Sequence, residues 1–372
     1  MSIPFLSLHD VTALHADEIR DAAKRVIDSG WYLQGEENKR FEQHFAQYVG
    51  SKYCVGCANG LDALIWILRA YKELGILNDG DEIIVPANTF IATILAITEN
   101  GLTPIFVEPR YETLEINDEL IEERITDRTR AIMLVHLYGR NAYSDKIGEL
   151  CQKHNLLLIQ DCAQCHGLKT LNSQLPAHNS AAYSFYPGKN LGALGDGGAV
   201  VTDDEALANT IRTLANYGSH KKYVFDYQGR NSRLDEIQAA VLDVKLKYLD
   251  EDNAQRQKIA NYYYDNINNP LVTLPFRLPD SENVYHIFPV LCEQRDQLQQ
   301  YLSDNKVGTV IHYPIPPHMQ KCYANESWNT PTLSLPITEC IAREELSLPI
   351  SPAMTLEEAE QVVLLINAFN NK

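Results

Sequence analysis

Short apolar runs alternate with amphipathic segments through the first two thirds of the chain. The apolar runs are rich in β-branched residues, and most are separated by segments whose apolar residues recur at helical spacing. The strand-like runs are DEIIVPA, TPIFVEP, AIMLVHLYG, LLLIQD, AAYSFY and GAVVTD, and the helix-like segments include 15–28, 37–48, LDALIWILRAYKELG, TFIATILAITENG and YSDKIGELCQKHN. This alternation predicts an α/β fold, in which a mostly parallel central sheet is flanked by helices.

The pattern changes near residue 250. The segment EIQAAVLDVKLKYLDEDNAQRQKIANYYYD reads as one long helix, and proline-punctuated segments follow it, with a strand-like VYHIFPVL and a last helix from Thr355. A chain of 372 residues exceeds the usual size of a single core. We therefore predict a large α/β domain over 1–250 and a smaller C-terminal α+β domain over 251–372. The N-terminal segment could pack with either.

Composition and charge narrow the class of protein. The chain is 45% hydrophobic and 22% charged, as in an ordinary globular protein. Its formal net charge of −17, without a basic block, argues against nucleic-acid binding but not against a local site for a small anion. No apolar run approaches the ~20 residues of a membrane span. The N-terminus MSIPFLSLHD has no secretory signal, so we expect a cytoplasmic protein with no membrane partner.

The glycine-rich segment YSFYPGKNLGALGDGGAV carries the clearest chemical signal. Its single lysine, Lys189, lies on a turn between two strand-like runs, away from any solvated helix face. A lysine held in this way can lose its proton and act as a nucleophile toward an aldehyde. An isolated lysine in such a loop is more often simply solvated, so the interpretation needs a partner group.

Asp161 supplies that partner. It follows the apolar run LLLIQ, and Gln164 comes three residues later. An acid at the carboxyl end of a buried strand, together with a lysine on a later turn, suits pyridoxal 5′-phosphate. The aspartate keeps the pyridinium nitrogen protonated and Lys189 forms the Schiff base. The alternative for Asp161 is a helix N-cap.

Other residues suit the rest of this cofactor. The turn Ala58-Asn59-Gly60-Leu61 opens a helix, where bare backbone N–H groups and the helix dipole can bind a phosphate. Ser184 could add a hydroxyl, and Phe90 could lie flat against the pyridine ring. The alternatives are a plain helix cap for the turn and a core position for Phe90.

Two cysteine pairs, Cys54-x-x-Cys57 and Cys162-x-x-Cys165, superficially resemble zinc or redox motifs. The pairs lie too far apart in sequence for a zinc ribbon, and both stand among small apolar residues. We expect reduced thiols that fill space beside a cofactor pocket, and no metal. A redox or zinc protein is the alternative.

The chain resembles the nucleotide-sugar aminotransferases of the DegT/DnrJ/EryC1/StrS family over nearly its whole length. The matching segments are ANGLDAL, VPANTFIAT, VHLYG, QDCAQCHG, SFYPGKNLGALGDGGAVVTDD, NSRLDEIQAAVL, HYPIPPH and LSLPISP. The resemblance implies a fold-type-I pyridoxal-phosphate enzyme that acts as a homodimer with its sites at the subunit interface. The family usually has alanines at Cys162 and Cys165 and often a threonine at Leu61 or Gly188.

The resemblance also assigns roles to individual residues. Lys189 binds the cofactor covalently, Asp161 contacts the ring nitrogen, and Gln164 lies near the ring hydroxyl. The phosphate cradle matches Gly60, Leu61 and Ser184, the ring-stacking position matches Phe90, and Asn231 matches a residue that reaches the phosphate from the other subunit.

The implied reaction is the transfer of an amino group from L-glutamate to a keto sugar. The resemblance points most to a dTDP-3-keto-6-deoxyhexose, giving a dTDP-3-amino-3,6-dideoxyhexose for surface polysaccharide such as lipopolysaccharide O-antigen. The alternatives are a dTDP-4-keto-6-deoxyhexose, a dehydratase of the same fold that Lys189 argues against, and a non-catalytic protein. Candidate residues for substrate binding are His166, Trp31, Tyr32, His312 and Tyr313.

Overall fold

The computed structural model describes residues 2–168, 179–330 and 332–370. Within these ranges the helices are α1 Leu8–Ala13, α2 Ala16–Ser29, α3 Glu36–Val49, α4 Gly60–Glu73, α5 Ile91–Glu99, α6 Asp145–His154, α7 Glu205–Leu214, α8 Glu236–Leu246, α9 Leu249–Asn266, α10 Arg295–Asp304, α11 Pro336–Glu344 and α12 Leu356–Ala368. The strands are β1 Tyr53–Cys57, β2 Glu82–Pro86, β3 Thr103–Val107, β4 Thr129–Val135, β5 Leu157–Asp161, β6 Asn179–Ser184, β7 Gly198–Thr202, β8 Phe288–Leu291 and β9 Glu345–Leu348. Each strand-like run of the first two thirds forms a strand.

Seven strands form the central sheet in the order β1-β7-β6-β5-β4-β2-β3. The pairs from β6 to β3 are parallel, and β7 runs antiparallel to both of its neighbours. The predicted mostly parallel sheet is therefore confirmed. Because β4, β5 and β6 are parallel neighbours, their carboxyl ends meet at one edge of the sheet, and this edge carries Asp161 and Ser184.

Helices cover both faces of this sheet. Successive residues of a strand point to opposite faces, and on β6 the side chain of Tyr183 joins the core of α3 and α8, whereas Ala182 joins the core of α4, α5 and α7. Glycine ends α3, because Gly50 takes the left-handed conformation with φ 74°. The layers together form a helix–sheet–helix arrangement.

The segment predicted as one long helix is two helices, and this prediction was wrong. The first, α8, ends at Leu246, and α9 begins at Leu249 after a break at Lys247 and Tyr248. Neither glycine nor proline marks the break. The two helices bury different surfaces: α8 packs against α2 and α3, while α9 packs against α12. Tertiary packing thus overrides a continuous local helical pattern.

The C-terminal region contains a second, two-stranded sheet, in which β8 and β9 are antiparallel. Its hydrophobic core includes residues of α9, α10 and α12 and also Ile3 from the N-terminal segment. The last helix starts where the sequence predicted, and Thr355 caps it in a capping box with Glu358. The domain division at residue 250 stays a prediction. None of the helices in the described ranges combines the length and apolar character that crossing a membrane demands.

Candidate active site

Lys189 lies on the turn after β6, at the edge where the parallel strands end. Its backbone N–H donates to the carbonyl of Tyr186 at 2.8 Å, which closes the turn. Its Nζ has neither a hydrogen bond nor an ion pair with any residue that the structure describes, and it lines a cavity of about 180 Å³. Burial lowers the pKa of the Lys189 amine to about 8, although the negative charge of Asp161 opposes this shift.

Asp161 is the last residue of β5 and is buried. One carboxylate oxygen accepts the hydroxyl of Thr93 at 2.9 Å, and the other accepts the backbone N–H of Ala163 at 3.1 Å. Burial raises the pKa of this carboxyl group, against the opposing effects of these two donors and of Lys189. Among residues 162–168 no helix begins, so Asp161 is not a helix N-cap, and a buried carboxylate remains for a cationic ligand.

Gln164 is fixed by two tyrosines. Its Oε1 accepts the backbone N–H of Tyr138 at 2.6 Å, and its Nε2 donates to the hydroxyl of Tyr313 at 3.1 Å. These bonds assign the orientation of the amide. The side chain is buried and borders the Lys189 cavity. Gln164 therefore connects the edge of the sheet to the segment that carries Tyr313.

The start of α4 lies against the end of β6. Asn59 caps the helix, because its side chain accepts the N–H of Asp62 at 2.8 Å and its carbonyl accepts that of Ala63 at 3.0 Å. The N–H groups of Gly60 and Leu61 have no hydrogen-bond partner within the described ranges. Free N–H groups at the positive end of a helix bind anions.

Close contact with Ser184 requires glycine at position 60. A Cβ atom at Gly60 would lie 2.5 Å from the Cβ atom of Ser184 and 3.1 Å from its hydroxyl oxygen. Only a residue without a side chain permits this approach, which brings the Ser184 hydroxyl beside the start of α4. The three residues predicted to cradle a phosphate, Gly60, Leu61 and Ser184, are thus brought together.

The ring of Phe90 stands at the start of α5 with 49% of the residue exposed. Its centroid lies 5.1 Å from that of the Tyr313 ring, and the two planes are tilted by 37°. A core position for Phe90 is therefore excluded. An exposed ring that packs beside Tyr313 can stack on a flat ligand.

His312 and Tyr313 both line the Lys189 cavity. The His312 backbone N–H donates to the carboxylate of Glu345 at 2.6 Å, and its Nδ1 lies 2.8 Å from the hydroxyl of Ser347. Because the Ser347 hydroxyl donates to Glu345, it accepts from His312 Nδ1–H, which leaves Nε2 as an acceptor. Burial lowers the pKa of His312 to about 4, so the ring is neutral.

The other candidates for substrate binding lie apart from this cavity. Trp31, Tyr32 and Asn231 are exposed, and none of them lines it. The indole N–H of Trp31 donates to the carbonyl of Leu33 at 2.8 Å. In a single chain these three side chains therefore do not meet Lys189.

His166 is fully buried between aromatic rings, with its centroid 5.4 Å from that of Tyr183 and 5.8 Å from that of Phe185. Neither ring nitrogen has a partner with hydrogen-bond geometry in the described part of the chain. Burial lowers the pKa of His166 to about 3, and the charge of Lys189 adds to this effect. His166 does not line the cavity, and its surroundings are those of a core histidine.

Two basic residues of the cavity wall, Arg256 and His286, were not predicted as site residues. Arg256 comes from α9 and His286 from the segment before β8, far from Lys189 in sequence. The Nδ1 of His286 lies 3.0 Å from the side-chain oxygen of Asn190, which directly follows Lys189. Asn190 in turn donates to Asn253 at 2.8 Å, so the lysine turn is bonded to both segments. No local pattern in the sequence marks these long-range bonds.

The cysteines lie in the core as free thiols, except that Cys322 is exposed and Cys340 partly so. Cys162, Cys165 and His136 place possible ligand atoms within 4.8 Å of one another. However, His136 already uses both ring nitrogens, one with Gln160 at 3.0 Å and one with the N–H of Ala142 at 3.1 Å. With these bonds in place the histidine has no free lone pair for a metal.

The arrangement fits pyridoxal phosphate on three observations of this structure. Lys189 presents an unpartnered amine, Asp161 presents a buried carboxylate, and the cradle at Gly60 has free N–H groups beside a hydroxyl. The exposed ring of Phe90 adds an aromatic surface. Each of these groups suits a different part of the cofactor: the aldehyde, the ring nitrogen, the phosphate and the ring face.

Comparisons with known proteins agree with this arrangement. A family model described as the DegT/DnrJ/EryC1/StrS aminotransferase family matches residues 14–367. The chain is 51% identical, over 99% of each chain, to a protein of Aneurinibacillus thermoaerophilus named dTDP-3-amino-3,6-dideoxy-alpha-D-galactopyranose transaminase.

Two solved structures are similar along nearly the whole chain. The structure of S. venezuelae DesV in complex with a ketimine intermediate matches with a TM-score of 0.92 and 43% identity, over 98% of each chain. The structure of NtdA from Bacillus subtilis with bound cofactor PMP matches with a TM-score of 0.90 and 32% identity, over 98% of this chain and 84% of that one.

Proposed function

The chain belongs to the DegT/DnrJ/EryC1/StrS aminotransferase family, and from that premise we propose that it transfers an amino group from L-glutamate to C3 of a dTDP-linked 3-keto-6-deoxyhexose. The product is a dTDP-3-amino-3,6-dideoxyhexose. The observation that carries this proposal is the 51% identity, over 99% of both chains, to a transaminase named for such a product. The enzyme is an aminotransferase that depends on pyridoxal phosphate.

When bound, pyridoxal phosphate supplies an aldehyde that condenses with amines and a ring that withdraws electrons from the adjoining carbon. Lys189 contributes the attacking amine, because burial brings its pKa to about 8 and so raises the fraction of neutral Nζ near pH 7. Once free of the cofactor, the same Nζ would be placed to carry the proton that leaves the donor Cα.

Asp161 holds a proton on the ring nitrogen. Its carboxylate is oriented by the Thr93 hydroxyl at 2.9 Å and the Ala163 N–H at 3.1 Å. In the protein alone, burial raises the pKa of Asp161 despite the opposing charge of Lys189. A protonated ring nitrogen beside it reverses this effect, because an opposite charge favours the ionised carboxylate.

The remaining cofactor contacts come from three elements. The N–H groups at Gly60 and Leu61 and the hydroxyl of Ser184 bind the phosphate, since they form the free cradle at the start of α4. Phe90 would stack on the ring face, and Gln164 would lie near the ring hydroxyl.

The keto sugar binds where His312 and Tyr313 meet the lysine cavity. The Nε2 of the neutral His312 ring accepts a hydrogen bond, so it suits a sugar hydroxyl better than a phosphate. Trp31 and Tyr32 present exposed aromatic rings that suit the nucleotide-sugar end of the substrate. His166 has only an indirect part in this proposal, since it does not line the cavity.

The enzyme acts as a homodimer, with Asn231 of each subunit completing the phosphate site of the other. Two features support this: Asn231 is exposed, and the adjacent Ser232 is anchored to α4 by its 2.6 Å bond to Asp62. Sedimentation of the holoenzyme tests it. A dimer that dissociates together with loss of the cofactor is expected, and a fully active monomer would contradict it.

The compartment proposed for the enzyme is the cytoplasm. Its product is proposed to be a precursor of surface polysaccharide such as O-antigen. Eight free thiols, six of them buried, support a reducing compartment. Mass measurement of thiol labelling after purification without reductant checks the reduced state, and eight labelled cysteines in the unfolded protein are expected.

Incubation with L-glutamate and each keto sugar tests the reaction. We expect 2-oxoglutarate and a 3-amino sugar from the dTDP-3-keto-6-deoxyhexose. Amination only of the dTDP-4-keto-6-deoxyhexose would overturn the choice of carbon. Loss of a hydroxyl group from the sugar without gain of an amino group would instead identify a dehydratase.

A further inference from the structure

Arg256 is a buried cation in the wall of the lysine cavity. It lies on α9, is only 2% exposed, and borders the same cavity as Lys189 and Gln164. Burial lowers the pKa of its guanidinium to about 10, so it remains charged at neutral pH. A buried guanidinium normally has an anionic partner, because an unpaired charge is costly to bury.

Among the described residues Arg256 has no ion-pair partner, although the negative charge of Asp252 acts on it from a greater distance. Its hydrogen bonds to described residues all leave from Nη1 and reach backbone carbonyls, that of Ile350 at 3.0 Å and those of His286 and Tyr285 at 3.4 and 3.5 Å. Its buried Nε has no partner. No carboxylate of the described residues lies within the 4.0 Å of an ion pair with it, and Asp252, one turn earlier, is bonded instead to His15 at 3.4 Å.

The cavity wall holds two cations. Lys189 and Arg256 line it. The aspartates whose charges act on them, Asp161 and Asp252, lie outside the wall. The two histidines in the wall do not add to the charge, because burial lowers the pKa of His286 well below its usual value and that of His312 to about 4. Two cations and two neutral acceptors favour a small ligand that is anionic and also offers hydrogen-bond donors.

We propose that Arg256 binds the α-carboxylate of the amino-acid donor. The inference rests on the proposed aminotransferase function and names the group that recognises its first substrate. An amino acid carries its carboxylate on the same carbon as the reacting amine, so a guanidinium in the cavity of Lys189 suits it. A keto sugar has no charge near its reacting carbon, because its negative charges are on the diphosphate. A guanidinium can also bind a carboxylate through two parallel hydrogen bonds.

The competing explanation is that Arg256 only holds backbone carbonyls together. Arg140 provides a matched control for that role, since it is 1% exposed, donates to the carbonyl of Phe276 at 2.6 Å and also has an unpartnered Nε. Arg140 does not line the lysine cavity. A structural arginine should therefore behave like Arg140, and a ligand-binding one should not.

Calorimetric binding of glutarate to the holoenzyme separates the two explanations. Glutarate has the carboxylates of the donor without its amine, so it binds but cannot react. We expect Arg256→Gln to weaken glutarate binding by about 10- to 100-fold, the range for losing hydrogen bonds to a charged group. Arg256→Lys, which keeps the charge, should lose less affinity, and Arg140→Gln should bind glutarate as the parent does.

Unchanged glutarate affinity in Arg256→Gln, or an equal loss in Arg140→Gln, would overturn the proposal. Circular dichroism and thermal unfolding check folding, and if Arg256→Gln does not fold, Arg256→Lys decides by the same criterion. The parent protein's amination of the keto sugar is measured in parallel. If the parent forms no 2-oxoglutarate, the proposed function fails, whereas a parent that does so with an unaffected Arg256→Gln refutes only the role of Arg256.

A second readout uses the donor itself. L-Glutamate and its α-carboxamide differ only at the group assigned to Arg256, and each can be followed by the change in cofactor absorbance in the first half-reaction. We expect the parent to prefer L-glutamate strongly and Arg256→Gln to lose at least about tenfold of that preference. A merely structural role would lower the rates with both donors and leave their ratio unchanged.

Discussion

Lys189, which is partly buried, and Lys245, which is buried, differ in whether the amine has a hydrogen-bond partner. Burial lowers the pKa of each amine to about 8, and in each case a nearby aspartate opposes the shift, Asp161 for Lys189 and Asp252 for Lys245. The Nζ of Lys245 donates to the carbonyl of Gly192 at 2.6 Å. The Nζ of Lys189 has no such partner in the described part of the chain and faces a cavity.

The comparison shows that a lowered pKa does not by itself identify a reacting lysine. Desolvation shifts both amines alike, but only an unpartnered amine beside open space can reach a ligand. Lys245 has a different use, since Gly192 lies on the same glycine-rich segment as Lys189 and its bond ties α8 to that segment. We infer that one lysine reacts and the other holds the reacting segment in place.

The largest expected effect comes from exchanging each lysine. Lys189→Ala should lower the rate of 2-oxoglutarate formation by at least about 1,000-fold, because it removes both the attacking amine and the proton carrier. Lys245→Met should keep the rate within about tenfold and instead lower the unfolding temperature, because it leaves the Gly192 carbonyl without its donor. A Lys189→Ala protein with the parental rate would show that Lys189 is not the reacting lysine.

The two aspartates should differ in the same way. Asp161→Asn should slow the reaction by about 100-fold, because an amide cannot hold the proton on the ring nitrogen. Asp252→Asn, near Lys245, should change the rate much less. Single-turnover absorbance measurements on both variants check this expectation, and equal losses of rate would contradict the assignment of Asp161.

The phosphate cradle gives a further test of the difference between the two lysines, because it lies near Lys189 and not near Lys245. Gly60→Ala should weaken binding of pyridoxal phosphate more than Ser184→Ala does, because its Cβ would lie 2.5 Å from that of Ser184 and force the start of α4 away. For Ser184→Ala we expect a loss of about tenfold in cofactor affinity. Fluorescence titration of the apoenzyme measures both, and Leu194→Ala, which alters an exposed side chain, serves as a control.

The smallest expected effect is on the pH dependence of stability. Between a native pKa of about 8 and the unfolded value of 10.5, the unfolded state binds more protons at Lys245 than the native state. The free energy of unfolding contributed by Lys245 therefore rises with pH by about 1 kcal/mol between roughly pH 8 and 9.5. Denaturant unfolding is measured for the single variant Lys189→Ala and for the double variant that also carries Lys245→Met. The difference between their free energies of unfolding at each pH is the contribution of Lys245.

The comparison of the two proteins is needed because other buried groups, among them Cys54 and Cys57, change the stability with pH in the opposite direction to Lys245. Burial raises the pKa of Cys54 and Cys57, so their thiols lose protons first in the unfolded state and stability falls with rising pH. A difference between the two proteins that does not change with pH would show that Lys245 has an ordinary pKa. In that case burial would not shift the pKa of Lys245.

The sequence predicted those features that depend on local pattern. The strand-like runs matched the strands because strands covered on both faces read as short continuous apolar runs, and Asp161 was placed correctly because it directly ends one of them. Lys189 was recognised from its glycine-rich surroundings. The cradle at Gly60 was recognised from a glycine at the start of a helix, and the structure brings it into contact with Ser184.

Features that depend on distant packing were missed. The break between α8 and α9 has no glycine or proline to mark it, since it reflects the different surfaces that the two helices bury. Arg256 and His286 come to line the cavity only when distant parts of the chain pack together. In the sequence, an arginine in a polar helical segment is typical of a solvent-exposed helix face. The assignments of Trp31, Tyr32 and Asn231 depend on a second subunit, which no single-chain pattern can place.

Borohydride reduction of the holoenzyme, followed by peptide mass spectrometry, tests most directly whether Lys189 alone reacts. Reduction fixes the cofactor on whichever lysine holds it, and both candidates have a similarly lowered pKa. We predict one cofactor per chain on the peptide containing Lys189 and none on the peptide containing Lys245. A label on Lys245, or a cofactor that dissociates from Lys189 unreduced, would contradict the account.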